Sequence, residues 1–457
     1  MKKSIEIIAT YELFIFYGFF LKEKSNTLKY IFYFISLILI IFLILAKEYR
    51  KYCISGILAG LLALSCFNKQ NAQIKSILPL AKAECIYCEI ISSPQKINEN
   101  YYSINVKLIS MNSKNLSCYA NGKIKVIVKS KIIQNNQKSK TIIKEKLIET
   151  NQFFLDTGAL IYFYGSFDKS INDSFTNKNP VFFVNSFLIS EYKNNILRMR
   201  ANFRFKIKKI LLSLSESGTL LVVLLLGSKD YLAGSLNLLF QRAGLAHVLA
   251  LSGLHISVMC AFTQKTADFF YKRKNHIFLM ILASTFFVFI AGTQPSLVRA
   301  LLFIYIKSIC SFYGINCKKG AIFYLSICIH ILIQPLMAFS VSFLLSYSAV
   351  FGIMYISPYI LELFNNKKSH RISESLSVSA GAQIGTIPFQ FLLFEYFSLI
   401  GIFSSFVAVP LISLFFILGI FAIIIILIFP ESLIFFKTIL SFLYEVIVAV
   451  VRFFSRF

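Results

Sequence analysis

Charge is scarce in this sequence. Only 15% of its 457 residues are charged, against 57% hydrophobic, and the mean hydropathy is +0.70. That balance excludes an ordinary soluble domain, and the chain reads as a polytopic membrane protein. Acids are scarcer still, 21 Asp and Glu against 47 Lys and Arg, for a net charge of +26. No GxxxxGK[ST] phosphate loop is present, so the chain has no nucleotide-driven motor of its own. The one CxxC, Cys85 to Cys88, has no second to complete a four-cysteine zinc site, and no metal or cofactor is expected.

What is abundant is long apolar sequence. The longest run, LIGIFSSFVAVPLISLFFILGIFAIIIILIF, covers 399–429. As one helix it would span roughly 46 Å against a hydrocarbon core of about 30 Å, so a break near Pro410 is expected. In the second half the lysines gather in QKTADFFYKRKNH (264–276), GINCKKG (314–320) and FNNKKSHR (364–371). Two apolar spans separate each cluster from the next, and the alternate turns, GTQP (292–295) and 338–340, carry no charge. The positive-inside rule puts all three basic loops in the cytoplasm. At the start, an apolar run to Leu21 and spans near 30–46 and 52–67 follow Met1-Lys2-Lys3. Glu6, Glu12 and the lack of a small-x-small site argue against a cleaved signal peptide. Three spans starting inside place residue 69 outside; KEYRK (47–51) agrees and KEKSNTLK (22–29) does not.

From about 69 to 190 the composition changes and strand patterns replace apolar runs. In NYYSINVKLIS (100–110), Tyr102, Ile104, Val106 and Leu108 alternate with Tyr101, Ser103, Asn105 and Lys107. KIKVIVK (123–129) alternates likewise after an Asn-Gly turn signal at 121–122. ECIYCEII (84–91), TIIKEKLIE (141–149) and ALIYFYGSF (159–167) supply further strands, which together suggest a small barrel or sandwich. Its outer face is basic: Lys123, Lys125, Lys129, Lys131, Lys138, Lys140, Lys144 and Lys146 are opposed only by Glu145, with Tyr101, Tyr102 and Tyr119 nearby in sequence. Lysines that track phosphates and aromatics that stack on bases suit sequence-tolerant single-strand binding. A solvated face in a lysine-rich protein is the plainer alternative.

Cys66, Cys85, Cys88 and Cys118 all lie outside on this topology, where disulfides form. Cys85 and Cys88 point to opposite faces of a straight strand, and a bridge to Cys118 on a neighbouring strand is expected, Cys88–Cys118 foremost. Cys260, Cys310, Cys317 and Cys328 read as ordinary thiols. Next, NILRMRANFRFKIKKILLSL (195–214) gathers Ile196, Met199, Phe203, Ile207, Ile210, Leu211 and Leu214 on one helical face, with only Arg200 intruding. This is an amphipathic helix for a membrane surface, or a continuation of the basic track.

Two histidines stand in GLAHVLALSGLHIS (244–257). On one helix His247 and His255 lie about 80° and roughly 12 Å apart, with Ser252 within about 60° of His255, so an unbroken helix could not close both histidines on one metal; a break at Gly253 would keep a metal or catalytic reading open. No acid adjoins them, and a polar lining is the simpler reading. PSLVRALLFIYIKSI (295–309) puts Ser296, Arg299 and Lys307 on one side. A mid-membrane cation costs about 2.5–3.5 kcal/mol on insertion scales, so it faces a partner or a water-filled cavity. SAGAQIGTIPFQ (379–390) repeats Ser379, Gln383, Thr386 and Gln390 at helical spacing. Each stripe alone can be interhelical hydrogen bonding; three together favour a water-filled path for an anion.

GLAHVLALSGLHIS resembles the signature of the ComEC family, the inner-membrane channel for single-stranded DNA in natural transformation. The likeness extends in order through LLLGSKDYL (224–232), GTQPSLVRALL (292–302), SFLLSYSAVFGI (342–353) and AQIGTIPFQFLLFEYFSLIGIFSSFVAVPL (382–411), with LDTGALIYFYGSF (155–167) similar to a late strand of the family's exterior insert. It departs at Ser340 and Leu344, where the family tends to have Asp and Gln, and at Ser405, where Asn is usual. The resemblance implies an all-α polytopic membrane protein with an inserted extracytoplasmic β-rich, OB-like barrel. Its parts would be transmembrane segments (1–68), the barrel (69–190), a basic amphipathic helix (191–214) and a channel domain (215–457). No HxHxDH occurs, so this is expected to be a short form without the nuclease domain of many relatives. A separate DNA receptor, cytoplasmic ATPase and nuclease would then be partners, alongside single-stranded DNA and membrane lipid, and a homo-oligomer is allowed.

The implied role is passage of one DNA strand through the inner (cytoplasmic) membrane, with no catalysis. Tyr101, Tyr102, Lys123, Lys125, Lys129 and Lys131 would receive the strand. His247, Ser252, His255, Ser296, Arg299, Lys307, Ser379, Gln383, Thr386 and Gln390 would line its path. The rivals are a small-anion transporter with a histidine proton relay and an intramembrane hydrolase using Ser252.

Overall fold

The alternating segments of the insert fold into a closed barrel, described here from a computed structural model that covers residues 75–76, 79–98, 100–113, 116–129, 155–168, 180–270, 276–334, 337, 340–363, 370–394 and 400–456. The strands are β1 (Lys75–Ser76), β2 (Cys85–Ile90), β3 (Gln95–Asn98), β4 (Tyr101–Ser113), β5 (Leu116–Lys129), β6 (Ala159–Phe167) and β7 (Val181–Tyr192). β2 pairs antiparallel with β4 and β6, β4 with β5, and β6 with β7. A parallel β5–β7 pairing closes the ring. Five strands in this circuit make a Greek-key barrel of the oligonucleotide-binding architecture, with β4 and β5 its second and third strands. Period two then sorts the side chains: Ile86, Cys88, Ile90, Ile104, Val106, Leu108, Ile124, Val126, Val128, Ile161, Phe163, Phe182 and Val184 all turn into one core.

Four expectations change here. The barrel is closed by β7, whose VFFVNSFLISEY carries alternation that the sequence reading passed over. Asn121 and Gly122 lie within β5, where Gly122 pairs with Leu108 beside a register shift, so the dipeptide marks a bulge and not the hairpin turn. Cys88 and Cys118 are not bridged: both are free, as is Cys85. The reason is topological. Cys88 pairs with Leu108 and Cys118 with Met111 on opposite sides of β4, so two strand spacings, roughly 9–10 Å, separate them where a disulfide needs under about 7 Å. Cys88 instead points into the core, its thiol directed at the Ile161 carbonyl at 3.6 Å. Among the described residues the bridged pair is Cys310–Cys317, so these two are not the ordinary thiols expected. The N-terminal spans of 1–68, the strand at 141–149, and Lys131, Lys138, Lys140, Lys144 and Lys146 lie outside the described residues.

The chain divides into two units, one within 71–232 together with 423–437, the other within 233–422 and 438–457. In the first, helix α1 (Asn195–Ser213) follows the barrel and α2 (Glu216–Leu226) packs back on it. The buried face of α1 is Arg200, Ala201, Ile207 and Leu211, while Ile196 and Met199 are exposed. Arg200 is no intruder. With Arg204 it meets the buried Asp156, at 3.6 and 3.1 Å, in the turn that enters β6.

The second unit is helical: α3 (Gly234–Arg242), α4 (Gly253–Phe270), α5 (His276–Ala291), α6 (Pro295–Phe312), α7 (Lys319–Ile333), α8 (Val341–Leu363, with a π turn at Gly352–Ile356), α9 (His370–Phe394), α10 (Ile400–Ile428) and α11 (Leu433–Phe454), the middle of the last pair belonging to the first unit. Among the described residues, four helices are long and apolar enough to cross a membrane: α6, α8, α10 and Pro430–Phe454. Two helices lie between successive basic loops, as the charge pattern requires. α10 runs unbroken through Pro410, against expectation. In apolar surroundings unwinding would expose several backbone groups, whereas proline forfeits one bond, so the helix persists.

Candidate functional site

Two places in the chain collect polar chemistry. On the barrel, the β4–β5 register sets Tyr101 opposite Lys129, Asn105 opposite Lys125 and Lys107 opposite Lys123. Lys107, Lys123, Lys125 and Lys129 are exposed, and beside them Ile127 pairs with Phe183 of β7, which is 40% exposed. The result is a basic ridge with an aromatic surface on the second and third barrel strands. Lys107 and Lys123 form a like-charge pair directly across the strands, an unfavourable arrangement that an anion relieves. Packing around Lys123 pushes its pKa down, and the Lys107 ammonium adds to that. Tyr102 is not on this ridge. It pairs with the inward-facing Val128, is half-buried and packs against the core. Burial and the neighbouring Asp230 raise its pKa. Lys107 and Phe183 are the members that sequence reasoning missed, although Lys107 belongs to the outward set of the alternation.

The second place is a break in the helical unit. The stretch 243–252, between α3 and α4, is a series of turns and not helix, so wheel angles between His247 and His255 do not apply. Leu245, Val248, Leu249 and Leu251 anchor it in the interior, while Ala246, His247 and Ala250 are exposed. Serines from other helices satisfy the carbonyls freed at its two ends: Ser404 of α10 donates to Ala243 at 2.6 Å, and Ser296 of α6 donates to Leu251. Unwound backbone needs such partners in an apolar setting. Gly401 of α10 admits both the Gly244 carbonyl, 3.2 Å from where its Cβ would sit, and the amide of Gln383 from α9. Any side chain at 401 would collide with them.

α4 starts at Gly253. Here Arg299 of α6 comes in, Nη2 lying 2.6 Å from the position a Cβ on Gly253 would take. Among the described residues no carboxylate pairs with Arg299; its guanidinium lies over the Tyr347 ring at 6.0 Å and its Nε is buried without a hydrogen-bond partner. His255, 2% exposed, folds back so that Nδ1 receives the Ser252 backbone N–H at 3.2 Å and touches Ser252 Oγ at 3.1 Å. Its ring meets Phe416 of α10 edge to face at 4.9 Å.

The structure thus brings His247, Ser252, His255, Ser296, Arg299 and Gln383 to one break. It does not bring the rest. Lys307 is exposed on α6, about 12 Å beyond Arg299. Gln390 donates to Thr386 at 2.9 Å and Thr386 to the Gln383 carbonyl, so α9 satisfies that end of its own stripe; Ser379 is half-buried. A neighbouring network escaped the sequence reading: Tyr347 of α8 donates to the Ser326 carbonyl at 3.2 Å and meets His330 Nδ1 at 3.1 Å, both on α7. The signal was present, since His330 in SICIHILI is an imidazole in an apolar run just as His247 and His255 are. No cluster of metal-ligating side chains occurs among the described residues.

These elements coincide with known sequence families. Over 225 residues the chain is 25% identical to ComE operon protein 3 of Bacillus subtilis, covering 46% of this chain and 28% of that protein. Recombination protein 2 of Haemophilus influenzae is 26% identical over 48% of this chain and 30% of the relative. An uncharacterized protein of Aquifex aeolicus is 28% identical over 50% and 52% respectively. The matched stretch therefore spans about half or less of each relative's length. No solved structure matches. The model of the competence protein family matches residues 224–457, more than half of the sequence and including the whole of the helix break with Arg299, Gln383 and Ser404 around it. On that match, this chain belongs to the competence protein family, the ComEC proteins.

Proposed function

We propose that this protein is a membrane channel that passes single-stranded DNA across the inner membrane into the cytoplasm during natural transformation. The observation that carries the reading is the break at 243–252. Non-helical backbone at membrane depth is tolerated where protein buries it or where it lines water, and here it is accompanied by exposed His247 and by Arg299, which meets no carboxylate among the described residues. Discontinuous helices whose N-termini face the cargo are a recurring device for moving anions through membranes. The barrel ridge of Lys107, Lys123, Lys125, Lys129, Tyr101 and Phe183 supplies a receiving face for a flexible polyanion. The relatives' names, a competence operon protein and a recombination protein, support the same assignment.

The test is uptake of labelled DNA by a host lacking this protein and by one with it restored. If His247 and His255 line a polyanion's path, Asn or Gln at either retains part of the uptake, because hydrogen-bonding capacity survives without titration. Leu abolishes it, since an apolar constriction dewets. Equal loss in Asn and Leu variants at normal membrane levels, with a titration near the imidazole range, would instead indicate a proton relay in an anion transporter.

One observation favours a second reading: Ser252 Oγ lies 3.1 Å from His255 Nδ1, the pairing of an activated nucleophile. Against it, the Ser252 backbone N–H occupies the same nitrogen, and among the described residues nothing orients the ring from Nε2. Ser252→Ala decides, keeping uptake in a channel and ending activity in a hydrolase.

A further inference from the structure

We propose that the first turn of α4 is an oxyanion site that holds one phosphodiester of the passing strand, between the α4 N-terminus, Arg299 and His255. This rests on the channel reading and adds to it a specific place where the strand is gripped. Because 243–252 is unwound, no helical turn precedes α4; the His255 N–H is taken by the Ser252 carbonyl at 3.2 Å, and the positive end of an 18-residue helix faces the break. Two side-chain donors lie beside it. An N–H donates to His255 Nδ1, so the neutral ring carries its proton on Nε2, and that atom is buried with no partner. Arg299 contributes Nε, also buried and unpartnered, from a guanidinium set against Gly253.

Unsatisfied buried donors are costly, and here two such side-chain donors and a helix N-terminus want the same thing. A cation site would need acceptors. An apolar ligand would leave all the donors unmet. A singly charged tetrahedral oxyanion matches both the donors and the one positive charge. The glycine is part of the site: with no Cβ, Gly253 lets the guanidinium lie on the helix end, and alanine there would meet Nη2 at 2.6 Å. The guanidinium centre lies 6.0 Å from the Tyr347 ring, within cation–π range.

Phosphate chemistry comes from a DNA strand, from free inorganic phosphate or from a lipid headgroup. The chain has no tryptophan, so Leu254→Trp, in the first turn, is a reporter without background; Val258→Trp, one turn on, serves if the first misfolds. The full-length protein in zwitterionic nanodiscs is titrated with inorganic phosphate, with a short single-stranded oligonucleotide, and with the same oligonucleotide carrying neutral methylphosphonate linkages. A fourth arm replaces the lipid with an anionic one and adds no ligand.

The expected result is a saturable change with phosphate and with the charged strand, and none with the neutral one. Arg299→Gln weakens it by about tenfold or more, Arg299→Lys by less, and Gly253→Ala weakens it without removing a charge. Equal responses in the Arg299→Gln and parent proteins overturn the proposal. So does a response to the neutral strand, a response to inorganic phosphate with none to the charged strand, or the same change with anionic lipid and no added ligand. DNA uptake by cells is read separately: Arg299-dependent strand binding without uptake removes the channel reading and leaves the site standing.

Discussion

At the scale of single residues, Asp156 makes the clearest case for chemistry that a linear reading misplaces. LDTG at 155–158 was legible as the entry to a strand, and Arg200 as a flaw in an amphipathic face. Together they are a clamp. Ser93 Oγ donates to the carboxylate at 2.7 Å and the Thr157 N–H at 2.8 Å, and two guanidiniums close on it from α1. Burial works to raise the Asp156 pKa, but Arg204, then Arg200, with these hydrogen bonds, hold it below its ordinary 3.8. A depressed carboxyl contributes stability that is fully present above its unfolded pKa and is lost as pH falls through the folded one. The barrel–α1 unit is therefore expected to hold from neutrality down to about pH 4 and to loosen below. Asp156→Asn should bring that loosening to neutral pH, at a cost of about 3 kcal/mol or more, because it strips the anion from between two buried cations. Limited proteolysis of the full-length protein across pH reads this: parent-like protection in Asp156→Asn at pH 7 would show that the clamp is ornamental.

Among whole elements, alternation made four of the five barrel strands readable in outline, and helical stripes found Ser296, Arg299 and Gln383 at the break. What stayed illegible was long-range: the partner that closes the ring, the bend that puts Gly122 inside a strand, and the unwinding at 243–252, which is set by serines more than 40 and 150 residues away. One departure from the family pattern becomes intelligible here. Ser340 caps α8, accepting the Phe343 N–H at 3.2 Å, and serine and aspartate are equivalent in that role. The ridge yields a prediction at this scale. A fragment cut after Leu232, which keeps Asp156 with its arginines, should bind single-stranded DNA weakly, losing roughly 0.7 log units per log of salt for each phosphate neutralised. Lys107→Gln and Lys123→Gln should each lower that slope by about the same 0.7. Phe183→Ala should weaken binding by about 1–3 kcal/mol with the slope intact, the mark of lost stacking. Salt-independent binding would remove the ridge from the route.

For the whole molecule, orientation is what the charge pattern predicts and what the helix order makes testable. The basic loops at 264–276, 314–320 and 364–371 fall at every second connection, so they share one side of any membrane that α4 to α9 span. If that side is the cytoplasm, cysteines at Lys274, Lys319 and Lys368, in a chain cleared of its own, should resist impermeant thiol reagents in intact cells, and one at Asn136 should react readily. The native cysteines offer a second, independent reading. Cys310, near the end of α6, and Cys317, within the middle loop, are bridged in the structure, but a reducing cytoplasm keeps such pairs as thiols, whereas an exterior loop would be oxidised. With the loops inside, acid-quenched cells should therefore yield Cys310 and Cys317 as free thiols that a permeant reagent traps without prior reduction. Replacing both with serine should leave DNA uptake unchanged, because no bond is lost. A bridged pair in growing cells, together with rapid surface labelling at Lys319, would invert the whole arrangement. The strand's exit would then lie on the opposite face, and the lysine-rich connections would be a surface the DNA meets first.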